Sequence, residues 1–115
     1  ALPLVVVVHG GPWERDEGGF HRQRQWLADR GYASLSVNFR SSVGLGKRLV
    51  NAGDREWGAK MNDDLVDAVN WAVQKGVADP RRVALLGASY GGYAALARRR
   101  QQIILRRVAP MEILI

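Results

Sequence analysis

The chain has 115 residues and no cysteine, which suits one domain with a modest core and excludes disulfides, thiol catalysis and Cys-ligated metal. Its net charge of +6 is concentrated: Arg98, Arg99, Arg100, Arg106 and Arg107 fall within ten residues, and without them twelve basic residues face eleven acidic ones. That pattern marks a solvated face or tail at the C-terminal end, so no nucleic-acid partner is expected.

Residues 3–8, PLVVVV, form a continuous β-branched run, as in a strand buried on both faces of a parallel sheet. The apolar run is too short to cross a bilayer and has no basic segment before it, so no membrane partner is expected and the reading is a soluble, cytoplasmic protein. A start at Ala1 leaves room for a removed leader or an upstream domain. After HGGPW and a charged, glycine-rich loop, residues 20–30 place Phe20, Gln23, Arg24 and Leu27 at helical spacing, with Gly31 as a stop.

Residues 33–38, ASLSVN, read as a second strand, followed by a long loop opening with FRSSVGLG. From residue 61 to 73, Leu65, Val69, Ala72 and Val73 make one apolar stripe; Asn62 and Asp63 are capping candidates and Gly76 ends the helix. Asp79-Pro80 predicts a turn, residues 82–86 a third buried strand, and residues 90–97 the start of a third helix. The order β-α-β-α-β-α predicts an α/β fold: parallel strands, right-handed crossovers and helices on both faces, in three α-β-α layers.

In such a sheet, ligands bind beyond the carboxyl ends of the strands where the strand order reverses. HGGP follows the first strand and Gly87-Ala88-Ser89-Tyr90-Gly91 follows the third. They meet if those strands are neighbours with the second strand outside the first. The spacing G-x-S-x-G is that of a nucleophile elbow, a sharp strand-to-helix turn that thrusts the serine hydroxyl outward. Ser89 is the candidate nucleophile. An acyl carbon under attack develops a negative oxygen, and fixed backbone N–H groups are suited to it. The N–H of Tyr90, at a helix start, and that of Gly11 are the candidate oxyanion-hole donors.

The segments HGGPWERD, GYASLSVNFRSSVGLG, GDREWGAKMNDDLVDAVNWAV and DPRRVALLGASYGGYAAL together resemble the catalytic domain of the prolyl oligopeptidase family of α/β-hydrolases, in its acylaminoacyl-peptidase and dipeptidyl-peptidase-like branch. The resemblance covers residues 1 to about 97 and implies a partial α/β-hydrolase domain there, followed by a divergent basic and apolar tail over residues 98–115. It implies a serine peptidase or esterase with Ser89 as nucleophile and Gly11 and Tyr90 as oxyanion hole. In the family, later strands carry the catalytic aspartate and then the histidine, and a propeller domain and first strands precede the HGGP region. After Leu96 the sequence ARRRQQIILRRVAPMEILI departs from the expected continuation, and neither catalytic segment is found.

His9 and His21 are the only imidazoles, and each is a candidate general base. His9 also resembles the family's structural HGG histidine, and a lone histidine at a helix start such as His21 is commonly just exposed. Asp16, Asp54, Asp63 and Asp64 are possible orienting carboxylates, although such charges are usually caps or solvated partners. Trp13, Trp57 and Tyr93 are read either as core or as the lining of an acyl pocket. No cofactor and no metal are expected. The basic block from residue 98 reads either as a helix continuation or as an added strand. A three-stranded sheet would leave two edges uncovered, which predicts a homo-oligomer through those edges or through residues 103–115 as a cover or swapped element.

The reading is a serine hydrolase that cleaves carboxylic esters, or short peptides, through an acyl-enzyme on Ser89. Esters come first because their leaving group needs less help from a general acid. The other reading is an inactive hydrolase fragment that acts by association alone.

Overall fold

The computed structural model describes residues 1–105 and 112–114, with side chains through residue 97. Its elements in chain order are β1 (Leu2–Val8), α1 (Arg22–Ala28), β2 (Ala33–Ser36), α2 (Lys47–Asn51), α3 (Lys60–Gln74), β3 (Ala78–Gly87), α4 (Tyr90–Leu105) and β4 (Glu112–Leu114). The sheet order is β2-β1-β3-β4 and every pairing is parallel. β1 and β3 are therefore neighbours, with β2 outside β1, as the two-motif site requires.

The β-branched run of β1 is buried on both faces. Leu4, Val6 and Val8 share one face with Val83 and Leu85 of β3, and α3 and α4 cover it through Met61, Leu65, Val69, Ala72, Ala94 and Ala95. Burial of each large aliphatic side chain there contributes about 1.5–3 kcal/mol. Val5 and Val7 point the other way, against Leu27 of α1 with Ala84 and Leu86 beside them. This is the three-layer α-β-α arrangement. Ala94 and Ala95 are fully buried, and residues this small let α4 lie close on the sheet.

The structure corrects several local expectations. The sheet has four described strands, because β4 pairs with the edge of β3 through Ala84↔Glu112, Leu85↔Ile113 and Leu86↔Leu114. The tail is thus helical through Leu105 and then covers an edge of its own sheet at residues 112–114. Asn62 and Asp63 are not caps: α3 starts after Ala59 with no side-chain cap, and Asn62 is buried, donating Nδ2–H to the Ala94 carbonyl at 3.2 Å. Asp79-Pro80 lies inside β3, not between elements. The ladder jumps from Leu2↔Ala78 to Leu4↔Val83, and residues 79–82 arch out. The Asp79 carboxylate holds the arch by accepting from Arg81 N, Arg81 Nε and Arg82 Nε, and those hydrogen bonds keep it well below the usual carboxylate range.

Candidate active site

β3 ends at Gly87 and α4 begins at Tyr90, so the chain reverses across Ala88 and Ser89 alone. Ser89 adopts φ 55°, in the left-handed region, and is exposed. For a residue with a side chain this conformation costs on the order of 1 kcal/mol, which the turn imposes. The turn is tied by Gly91 N–H to the Ala88 carbonyl at 3.0 Å and Tyr93 N–H to the Ser89 carbonyl at 3.1 Å. Glycine is required on both sides of it. A Cβ on Gly87 would run into the backbone of Gly91, and one on Gly91 into the Val8 carbonyl.

That contact with Val8 brings the elbow against the end of β1, where Gly10 is packed on the serine. A Cβ built on Gly10 would lie 3.6 Å from Ser89 Cβ and 4.0 Å from Ser89 Oγ. Gly11 follows at φ 112°, where L side chains are strained. Neither the Gly11 nor the Tyr90 amide takes part in the turn and loop backbone bonds of the described residues, so both are free of the elbow's own ties.

His9 stands beside these groups but its ring faces elsewhere. Its Nδ1 lies 2.7 Å from the Gly10 carbonyl and its Nε2 2.9 Å from Ser42 Oγ. A carbonyl can only accept, so in the neutral ring Nδ1 carries the proton and Nε2 accepts from the Ser42 hydroxyl. The ring is stacked on Phe39 at 4.4 Å and 15°. In a planar trans peptide the C=O of Gly10 and the N–H of Gly11 point in opposite directions, so holding the first aims the second.

The loop after β2 grips the loop after β1 at further points. Asn38 binds both sides of the Asp16 backbone, accepting from its N–H at 2.7 Å and donating to its carbonyl at 3.0 Å, and Val43 N–H donates to the Glu14 carbonyl at 3.0 Å. Asp64, one of the candidate orienting carboxylates, instead binds Arg40 of this loop. Arg40's hydrogen bonds and positive charge outweigh the desolvation that opposes them and hold its carboxyl below the usual range. Asp54 and Asp63 are exposed.

His21 is exposed at the N-terminal end of α1 and makes no side-chain cap. It lines a cleft of about 780 Å³ together with His9, Gly10, Asp16, Phe20 and Ala88. Both histidines thus border the space beside the elbow, yet the Ser89 hydroxyl forms no hydrogen bond with either among the described residues. Of the two readings of the aromatic residues, the core one does not hold. Trp13, Trp57 and Tyr93 are 57%, 47% and 45% exposed and form a surface cluster, Trp57 meeting Trp13 at 6.1 Å and Tyr93 at 5.9 Å. Trp57 also abuts the buried Tyr90 ring edge-on at 4.9 Å. Burial, with Tyr93 and Asp64 nearby, pushes the Tyr90 hydroxyl up to about 12. The sequence reading did not single out Ser42, Phe39, Asn38 or Arg40; their signal lay in the segment NFRSS, which has no chemistry of its own until it meets HGGP.

An elbow serine at the carboxyl edge of a parallel sheet, backed by the loop of the neighbouring strand, is the architecture of the α/β-hydrolase peptidases. Solved structures agree: a puromycin-hydrolyzing peptidase of Mycobacterium tuberculosis superposes with a TM-score of 0.84 at 36% identity, over 87% of this chain and 15% of that one. The uncomplexed acylaminoacyl peptidase of Pyrococcus horikoshii gives 0.80 at 29% identity, over 87% of this chain and 17% of that one. The chain belongs to the prolyl oligopeptidase family, whose pattern matches residues 19–103.

Among curated relatives, dipeptidyl aminopeptidase BIII of Pseudoxanthomonas mexicana is 61% identical over 83% of this chain. Dipeptidyl peptidase family member 6 of Caenorhabditis elegans is 56% identical over 81%, and the acylamino-acid-releasing enzyme of Arabidopsis thaliana 36% over 79%. The chain spans 14%, 13% and 12% of the length of these relatives. Among the described residues no helix is long and apolar enough to cross a membrane.

Proposed function

We propose that this chain carries the nucleophile and the oxyanion hole of a serine peptidase that acts on short peptides, with simple esters as accessible substrates. The supporting observation is the packing of Gly10 on Ser89, which brings the strained elbow and the glycine loop into one place. In this reading Ser89 Oγ attacks the acyl carbon, its proton passes to a base, and the carbonyl oxygen takes the negative charge between the Gly11 and Tyr90 N–H groups. The leaving group departs with a proton and water releases the acyl group. Peptides take precedence over esters because the relatives and solved neighbours are named as peptidases.

With both nitrogens of His9 bound, His21 is the histidine of this chain whose ring is open to accept a proton; the family pattern assigns that task to a later strand. The test is turnover of a p-nitrophenyl ester and a dipeptidyl p-nitroanilide by wild type and Ser89→Ala. Loss of both activities in the variant is expected, and equal rates would eliminate the nucleophile assignment. Single replacement of His21 and His9 then shows which of them, if either, accepts the proton.

A further inference from the structure

Residues 38–43 act as a bracket on the loop that holds Gly10 and Gly11. Four of them face that loop: Asn38 binds the Asp16 backbone, Phe39 supports the His9 ring, Ser42 holds its Nε2, and Val43 N–H donates to the Glu14 carbonyl. Ser41 and Arg40 face the other way, towards α3, the Ser41 hydroxyl donating to Met61 Sδ. Arg40 donates its backbone N–H and its Nε to Asp64 Oδ2, both at 2.9 Å, and its Nη2 to Asp64 Oδ1 at 2.7 Å. Asp64 lies on α3, whose apolar stripe is buried against the sheet.

A guanidinium fork on a carboxylate fixes both distance and plane, and the added backbone N–H fixes the main chain of the bracket as well. The two side chains are only 26% and 22% exposed, which distinguishes this pair from a solvated surface contact that transmits little. We propose that Asp64, acting through Arg40, is a positioning residue for the oxyanion loop: it sets where residues 38–43 stand, and through Ser42 and His9 where the Gly11 N–H points. This inference rests on the reading of Gly11 as an oxyanion donor.

Asp64→Asn removes the charge and keeps the shape, whereas Arg40→Lys keeps the charge and removes the fork. Asp79→Asn, which breaks a comparable carboxylate–arginine cluster at the far end of β3, is the control. In nitrogen-15 spectra of the full chain, the Gly11 amide and the His9 ring resonances are expected to move in the first two variants and to stay in place in the third. In ester turnover, kcat is expected to fall by about 10- to 100-fold with KM within about twofold, as for a misaimed transition-state contact. Unmoved Gly11 and His9 resonances in folded Arg40→Lys would overturn the proposal, as would a loss confined to KM. Should Asp64→Asn not fold, Arg40→Lys decides. If Ser89→Ala turns over ester as wild type does, the proposed function falls, while the resonances still decide whether Asp64 positions the loop.

Discussion

Ser42 Oγ lies 2.9 Å from His9 Nε2, a buried hydroxyl closing the one nitrogen that a histidine beside a nucleophile would otherwise offer. Ser42→Ala leaves that nitrogen short of solvent and without its partner. A loss of about 1–3 kcal/mol in unfolding free energy is expected from urea denaturation, because an orphaned polar group costs more than the bond it made.

Gly91→Ala is expected to be more damaging than its single methyl suggests. The added Cβ meets the Val8 carbonyl, part of a central strand that cannot withdraw without breaking its ladder with β3. Overpacking of this kind costs about 1–3 kcal/mol, and if Ser89 is the nucleophile proposed above, the variant should also lose labelling by a fluorophosphonate even where it remains folded.

Ser89→Gly should separate stability from chemistry. Glycine accepts φ 55° freely, so relief of strain raises unfolding free energy by roughly 1 kcal/mol while removing the hydroxyl. Ser89→Ala keeps the strain and should not be stabilised.

Tyr90 predicts an alkaline weakness. Its hydroxyl is pushed up to about 12 by burial, above the usual value of about 10 for an exposed tyrosine, so the folded chain keeps a proton that the unfolded chain releases. The unfolded state then binds fewer protons, and stability is present in full below about pH 10 and falls as pH rises towards 12, by on the order of 1–2 kcal/mol. Denaturation at pH 9 and pH 11.5 checks this, and Tyr90→Phe should flatten the difference.

The central strands and the elbow were legible in the sequence because each rests on a local signal, whereas the order of the strands entered only as a condition. A β-branched run means a doubly buried strand, and Gly87 and Gly91 flank a serine at a spacing few turns need. The stripe Leu65, Val69 and Ala72 likewise places α3 without reference to anything distant. Other features carry no local mark. α2 has only five residues, too few for a periodic pattern, so its segment looks like part of the long loop. The arch at residues 79–82 looks like a turn between elements until β1 is seen pairing on both sides of it. Asn62 looks like a cap because caps are what asparagine usually makes near a helix start, whereas here its partner is the Ala94 carbonyl on another helix. The Arg40–Asp64 and His9–Ser42 pairs join residues that only the fold brings together. Residue type alone leaves Trp13, Trp57 and Tyr93 between core and pocket lining, because it cannot distinguish a ring packed inside from one packed on its neighbours at the surface.

Gly10 and Ser89 follow β1 and β3, which are neighbours in the sheet but far apart along the chain, and they touch only when β1 has paired with β3. Neither half of the site exists in a chain that has collapsed without that pairing. In the reading of Ser89 as nucleophile proposed above, a reagent that labels it would therefore count correctly paired molecules, and its labelling rate during refolding would clock the formation of one long-range strand contact.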